Sequence, residues 1–188
     1  MIPVLHSTLN HISMKRGVIN RLPGWFRQEI PQELTLTMMR KLADFKVNTV
    51  CQSAKCPNLS YCFKNSELTF MILGNTCTRS CAFCAVEKSK KGLLGVDSGE
   101  PYRVAEIVKQ LGIKFAVITS VTRDDLEDGG AGIFAKTVEL IRGLNRDIKI
   151  EVLIPDFKGN ISSLNTIAGS FPNVAGHNIE TIERLYKE

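Results

Sequence analysis

Apolar positions in the second half of the chain alternate between two spacings, which predict strands and helices in turn. Short apolar runs begin near positions 68, 115, 148 and 173 and predict four buried strands. Apolar residues at helical spacing predict helices over 101–111, 131–145, 161–168 and 179–187. Strand–helix alternation with strongly apolar strands is typical of parallel βα units. The chain is therefore predicted to be an α/β protein with a parallel sheet.

The first third of the chain follows a different pattern. Residues 1–31 have no periodicity and contain the breakers Pro23 and Pro31, whereas one amphipathic helix is predicted over 34–45. A cysteine-rich stretch follows before the first strand. We therefore predict an N-terminal extension over 1–66 and a βα domain over 67–188.

In parallel βα folds, the loops that leave the carboxyl ends of the strands gather at one face. Here those loops are polar and cover residues 77–84, 120–130, 155–159 and 177–180. A functional site is predicted at this face.

The composition excludes several classes of function. A hydrophobic content of 44% and a charged content of 23% are ordinary for a globular domain, and no apolar run approaches the roughly 20 residues of a membrane span. There is no arginine-rich tract to suggest nucleic-acid binding, and the net charge of +5 suits an acidic protein partner.

The first 28 residues lack acidic residues, which we interpret as a basic lead-in rather than an organellar transit peptide. We expect a cytoplasmic location rather than a mitochondrial or plastid one.

All six cysteines lie between positions 51 and 84. No secretory signal precedes them, so a reducing compartment is expected, and clustered thiols in such a compartment indicate metal binding.

The second cysteine triplet, Cys77, Cys81 and Cys84, has the spacing C-x3-C-x2-C. A 4Fe–4S cluster normally takes four thiolates, so three ligands leave one iron open to bind a substrate. This spacing, with the aromatic Phe83 before the last cysteine, is the pattern of radical S-adenosylmethionine (SAM) enzymes. A zinc site, which prefers four ligands, and a plain electron-transfer centre are the alternatives.

The first triplet, Cys51, Cys56 and Cys62, has the spacing C-x4-C-x5-C, which alone would also fit a zinc knuckle or spare ligands. Because the first triplet lies upstream of the second, the two together make the chain resemble the lipoyl synthase family. The resemblance extends from Arg21 onward, in family order, over 23–25, 56–58, 70–81, 119–126, 128–130, 150–157 and 177–181.

The resemblance implies a partial (β/α) barrel of the radical SAM type, here with about four βα units. It implies insertion of two sulfur atoms, at carbons 6 and 8 of an octanoyl chain amide-linked to a carrier-protein lysine. Cys77, Cys81 and Cys84 would hold the SAM-binding 4Fe–4S cluster. Cys51, Cys56 and Cys62 would hold an auxiliary 4Fe–4S cluster that donates the sulfur. The implied partners are an octanoylated lipoyl carrier and an electron donor such as ferredoxin or flavodoxin.

Further residues are candidates for contact with SAM or for loop structure. Thr119 and Ser120 lie at a strand end where radical SAM proteins contact the methionine part of SAM, and Asn178 and Glu180 lie where the ribose and methionine are usually held. Loop capping is the alternative for all four. His177 is interpreted as a structural histidine, and Glu151 receives no role. The acidic residues Asp124, Asp125 and Asp128 either shape the active-site loop or cap turns around Gly129 and Gly130.

The sequence departs from the family at its C-terminal end. Family members are longer, and their Arg-Ser-Ser-Tyr motif, whose serine ligates the auxiliary cluster, has no counterpart at Ser162, Ser163 or Ser170. We expect a truncated sequence, with a split protein or a degenerate copy as alternatives, and poor catalysis by this polypeptide alone. Two rival functions are another radical SAM sulfur-inserting enzyme and a non-catalytic iron–sulfur or zinc module.

Overall fold

The computed structural model describes residues 32–54, 56–88, 95–144 and 146–185. Its helices are α1 Gln32–Asp44, α2 Val50–Ser53, α3 Leu59–Lys64, α4 Glu100–Gln110, α5 Ala131–Leu144 and α6 Ile161–Gly169. Its strands are β1 Asn48–Thr49, β2 Leu68–Ile72, β3 Thr76–Cys77, β4 Glu87–Lys88, β5 Phe115–Ser120, β6 Lys149–Leu153 and β7 Val174–Gly176. Short 3-10 turns cover Phe157–Gly159 and Glu183–Leu185.

Five strands form one sheet in the order β1-β2-β5-β6-β7. The four strands from β2 to β7 are parallel to their neighbours, and β1 pairs antiparallel with β2. Strands β3 and β4 form a separate two-stranded pair. In the described part of the chain the sheet is open, with β1 and β7 at its edges. This confirms the predicted α/β class with a partial βα architecture.

The four predicted parallel strands are confirmed, each beginning within one residue of its expected position. The helices predicted over 34–45, 101–111, 131–145 and 161–168 are confirmed as α1, α4, α5 and α6. The prediction of a helix over 179–187 is wrong, since residues 177–182 have no regular structure and, among the described residues, only the 3-10 turn Glu183–Leu185 follows. Glu180 has a φ of 64°, a left-handed conformation that a right-handed helix does not contain.

Two predictions lie beyond what the structure describes. The irregular segment 1–31 and the last three residues fall outside the described residues. The boundary at residue 66 stays a prediction.

The hydrophobic core lies between the sheet and its helices. Phe70, Ile118 and Val152 are neighbours in register on three adjacent strands, and all three are fully buried. Phe134 of α5 is also fully buried in this core. Leu42 of α1 belongs to the same cluster, so the helix before the cysteines packs on the core that supports the sheet. Burial of such side chains stabilises the fold by about 1.5–3 kcal/mol each.

A buried carboxylate supports the chain where it leaves β2. Glu100, at the start of α4, is only 4% exposed. Its Oε2 accepts a hydrogen bond from the Leu73 amide at 2.6 Å, and its Oε1 accepts one from the Gly74 amide at 3.3 Å. Leu73 and Gly74 have φ values of 67° and 88°, so the chain turns sharply here. Burial raises the pKa of Glu100, and the two amide bonds oppose that rise.

Replacing Glu100 by glutamine tests this support. Glutamine has one acceptor oxygen, so one of the two amides would face an NH2 group instead of an acceptor. We expect the free energy of unfolding to fall by about 1–3 kcal/mol, the usual cost of leaving a buried donor unsatisfied. The measurement is denaturant unfolding followed by circular dichroism. Glu106→Gln on the same helix, whose side chain bonds only at the surface, is the matched control and should change stability by less than about 0.5 kcal/mol. Equal losses in both variants would contradict the role of Glu100.

Candidate functional site

The second cysteine triplet lies on the loop that follows β2. Cys77 ends β3 and is half-buried, Cys81 is exposed and Cys84 is half-buried. The loop is compact, because the Cys84 amide donates to the Cys81 carbonyl at 3.2 Å and Lys88 Nζ donates to the same carbonyl at 2.9 Å. The Arg79 amide lies 3.4 Å from Cys77 Sγ and donates to it.

The first triplet surrounds the other end of β2. Cys51 lies in α2, directly after β1, and is buried, while the half-buried Cys62 lies in α3. The Cys56 amide donates to the Cys51 carbonyl at 3.0 Å, and the Glu67 amide, just before β2, donates to the Cys62 carbonyl at 2.9 Å. Because β1 runs antiparallel to β2, Cys51 lies toward the amino end of β2.

The pKa of Cys62 is raised by the surroundings of its thiol. Burial raises this pKa above its ordinary value, and the nearby Cys51, Glu67 and Cys56 raise it further. The structure places the two triplets toward opposite ends of β2.

The donor set suits iron–sulfur clusters. All six cysteines are free thiols, and thiolates are the ligands that hold such clusters. Within the described residues, no three His, Cys, Asp or Glu side chains are gathered as a ready metal-holding group. What supports cluster binding here is therefore the chemistry of the thiol ligands, and the six ligand roles stay predictions.

The structure separates the two strand-end candidates, Thr119 and Ser120. Thr119 Oγ1 donates to the Leu153 carbonyl at 2.8 Å and so ties β5 to β6. Ser120 Oγ is buried and, in the described part of the chain, has no hydrogen-bond partner. Buried hydroxyls are nearly always paired, so a polar ligand at the carboxyl end of β5 would satisfy this group. Of the two, Ser120 is the one whose hydroxyl could still pair with a ligand, and both cofactor-binding roles stay predictions.

The candidates after β7 also lie at the carboxyl ends of the strands, but they are exposed to solvent. Asn178 and Glu180 are exposed. His177 Nδ1 lies 2.9 Å from the Ile154 carbonyl, a backbone contact that matches its interpretation as a structural histidine. The SAM-binding roles of Asn178 and Glu180 stay predictions.

The acidic residues after β5 have distinct partners. Asp125 pairs with the buried Arg123 at 2.8 Å, and Arg123 in turn lies 3.5 Å from the Leu73 carbonyl. Asp128 accepts hydrogen bonds from the Gly130 and Gly132 amides, both at 2.8 Å, and caps the start of α5. Asp128 therefore has the capping role, whereas Asp125 holds the loop through Arg123.

Sequence reasoning missed an ionic cluster between the loops. Arg79 lies 2.8 Å from Asp124 and 2.7 Å from Asp156, and Lys158 Nζ lies 3.7 Å from Asp124. The hydrogen bond from Arg79 lowers the pKa of Asp156 to about 2 and also holds the pKa of Asp124 below its ordinary value. The signal that could have indicated the cluster is position: Arg79 lies two residues after Cys77, Asp124 lies in the loop after β5, and Asp156 lies in the loop after β6. We call Arg79, Asp124 and Asp156 the arginine clamp.

Comparison with known proteins assigns the class. A sequence model of the radical SAM superfamily matches residues 71–188, which include the second cysteine triplet and most of the parallel sheet. The chain therefore belongs to the radical SAM superfamily. This family uses SAM together with a 4Fe–4S cluster.

Within that class, the chain is strongly similar to lipoyl synthases. It is 56% identical over 141 residues to the lipoyl synthase of Aquifex aeolicus (strain VF5), a match that covers 75% of this chain and 50% of that protein. It is 47% identical over 166 residues to that of Geobacter sp. (strain M21), covering 88% of this chain and 56% of that protein. For the lipoyl synthase of Chloroflexus aurantiacus (strain ATCC 29366 / DSM 635 / J-10-fl) the identity is 46% over 174 residues, a match that covers 91% of this chain and 56% of that protein. The chain spans about half the length of the curated relatives it matches.

Proposed function

We propose that this chain serves in lipoyl synthase chemistry, the insertion of sulfur at carbons 6 and 8 of an octanoyl group attached to a carrier protein. The observation that carries the proposal is the similarity to lipoyl synthases, which reaches 91% of the chain. A match of that extent in 188 residues must include positions 51–84, and therefore both cysteine triplets. Membership of the radical SAM superfamily alone would not require the first triplet.

The second triplet is proposed to hold the SAM-binding cluster. When bound and reduced, the cluster with SAM supplies a carbon-centred radical able to remove hydrogen from unactivated carbon. The protein contributes the three thiolates of Cys77, Cys81 and Cys84, and Ser120 offers a hydroxyl that has no partner among the described residues, at the carboxyl end of β5. Thr119 contributes indirectly, because its bond to the Leu153 carbonyl fixes the end of β5 against β6.

The first triplet is proposed to hold the auxiliary cluster that provides sulfur. In support, two of the three cysteines are tied together through the backbone, since the Cys56 amide donates to the Cys51 carbonyl at 3.0 Å. The segment is also fixed to the core, because Cys51 is only 8% exposed and Phe63, the neighbour of Cys62, is 1% exposed. An anchored segment gives the cluster a defined position relative to β2.

The partners follow from the proposed reaction. We propose an octanoylated lipoyl carrier as substrate and a ferredoxin or flavodoxin as electron donor, and the net charge of +5 favours acidic partners. None of the helices that the structure describes is long and apolar enough to cross a membrane. The cytoplasmic location stays a prediction.

Anaerobic reconstitution with iron and sulfide tests the proposal. We expect about eight irons per chain with acid-labile sulfide, since two 4Fe–4S clusters require that number. With a strong reductant and SAM, we expect 5′-deoxyadenosine, and with an octanoylated carrier domain we expect a slow mass increase from added sulfur. Zinc without iron would contradict both the radical and the lipoyl assignments. Deoxyadenosine formation with no sulfur added to the carrier would leave the radical class intact and contradict the lipoyl assignment.

A further inference from the structure

Arg79 lies within the second cysteine triplet, but its side chain bonds to two other loops. Nε and Nη2 donate to the two carboxylate oxygens of Asp124 at 2.8 and 2.9 Å. Nη1 and Nη2 donate to the two oxygens of Asp156, both at 2.7 Å. Asp124 belongs to the loop after β5 and Asp156 to the loop after β6. One guanidinium therefore joins the cysteine loop to both neighbouring loops.

The neighbouring threonine strengthens the same junction through the backbone. The Thr78 amide and its Oγ1 both donate to the Thr122 carbonyl, at 3.0 and 2.9 Å. Thr78 Oγ1 in turn accepts from the Asp124 amide at 3.1 Å. The dipeptide 78–79 thus fixes the cysteine loop just after Cys77.

The charges of this junction are balanced within it. Arg79 and Lys158 face Asp124 and Asp156, giving two positive and two negative groups. The guanidinium is occupied on three nitrogens by carboxylate oxygens, so it is engaged in holding protein groups rather than offered to an anionic ligand. Isolated surface ion pairs contribute little to stability. A planar guanidinium bonded in a fork to two carboxylates has much stricter geometry, and this strictness favours a positioning role.

We propose that Arg79 is a positioning residue that fixes the segment 77–84 against the loops after β5 and β6, so that its three thiols meet one cluster in a defined place. The proposal rests on the proposed role of Cys77, Cys81 and Cys84 for its purpose, but the clamp itself consists of protein groups only. It predicts that the loop is held before any cluster binds.

Hydrogen exchange of the iron-free 188-residue chain tests the clamp directly. The Thr78 and Asp124 amides are the reporters, because each bonds across the junction. In Arg79→Gln we expect both amides to exchange about 10- to 100-fold faster, as charge-assisted bonds that oppose local opening are lost. Arg79→Lys keeps the charge but not the fork and should give a smaller increase. Amides inside β5, such as that of Ile118, should be unaffected.

Arg142→Gln is the matched control. Arg142 also joins two elements, since it donates to the Phe171 carbonyl and, at 3.4 Å, to Asn173 Oδ1, but it lies by the amino end of β6. Its loss should leave the exchange of Thr78 and Asp124 unchanged. Unchanged exchange at these two amides in Arg79→Gln would overturn the proposal. So would an equal increase in the Arg142 variant, which would indicate general loosening.

Cluster loading supplies the second measurement. These variants are made in a Cys62→Ser background, so that the iron measured is that of the second triplet. After anaerobic reconstitution, we expect Arg79→Gln and the double variant Asp124→Asn/Asp156→Asn to lose at least about half of this iron. The readouts are the iron content and the SAM-induced change in the electron paramagnetic resonance spectrum. Arg79→Lys should retain most of the iron. Normal loading in Arg79→Gln overturns the proposal, even if the clamp bonds exist. If no variant and no parent binds iron while the exchange result holds, the proposed function fails and the clamp stands as a structural feature only.

Discussion

Serine in place of Cys81 is expected to abolish the formation of 5′-deoxyadenosine from SAM, reducing it to the background of the protein-free reaction. Thiolate is the usual ligand of iron–sulfur clusters, and a serine hydroxyl, which is harder and is not ionised at neutral pH, is a much weaker replacement. Only two ligands of the triplet would remain. Cys81 is the best of the three for this test because it is exposed, so the substitution removes a ligand without opening the core. The measurement is chromatographic detection of deoxyadenosine after anaerobic reduction.

The comparison variant is Cys62→Ser, in the other triplet. Under the proposed division of roles, this variant should still cleave SAM but should add no sulfur to an octanoylated carrier. Cys62 is preferable to Cys51, because Cys51 belongs to the hydrophobic core and its loss would also affect folding. If both serine variants lost deoxyadenosine formation and sulfur addition alike, the two triplets would not act separately. Retention of deoxyadenosine formation by Cys81→Ser would refute the assignment of the second triplet.

Gly130→Ala is expected to cause the largest loss of stability among single changes near the site. Gly130 has a φ of 92°, and an added Cβ would lie 2.2 Å from Cδ1 of Leu73. Leu73 is only 4% exposed, so its side chain has little free space into which it could turn away. Adding the cost of an unfavourable φ to that of overpacking, we expect the free energy of unfolding to fall by about 2–5 kcal/mol. Denaturant unfolding measures it.

Gly143→Ala is the control for this change. Gly143 lies in α5, and a Cβ there would meet no atom within 4 Å. Alanine should stabilise the helix by about 0.5–1 kcal/mol, because glycine loses more backbone freedom on folding. The two glycines are thus expected to respond with opposite signs. Similar responses would show that Leu73 does not limit the space at Gly130.

The strands of this fold could be predicted because their signal is local. Phe70, Ile118 and Val152 each stand in a short apolar run, and such runs indicate buried strands whatever their partners are. Strand β1 gave no such signal, because it has only two residues, Asn48–Thr49, and both are polar. The helix predicted after Ile179 failed for another reason. Its apolar spacing was suitable, but Ile179 and Ile182 are 76% and 55% exposed and gain little from helix formation.

The site was predictable only where the chemistry is contained in neighbouring residues. Both cysteine triplets are visible as spacings, whereas Arg79 and Asp156 are 77 positions apart and no periodicity connects them. The resemblance to lipoyl synthases suggested Thr119 and Ser120 together, without distinguishing them. Successive residues of a strand point to opposite faces, so the two hydroxyls lie in different surroundings. That of Thr119 bonds to the neighbouring strand, whereas that of Ser120 is left unpaired among the described residues.

The strand order has a consequence for how the polypeptide is made. Strand β2 carries the second triplet at its end, and it is held in the sheet by β5, which follows both triplets in the chain. As translation proceeds from the amino end, all six cysteines are therefore synthesised before the strand that pairs with β2 in parallel. A growing chain thus carries all of its cluster-ligand candidates before β2 has its parallel neighbour, so the sheet end next to the second triplet is completed only after that triplet has been made.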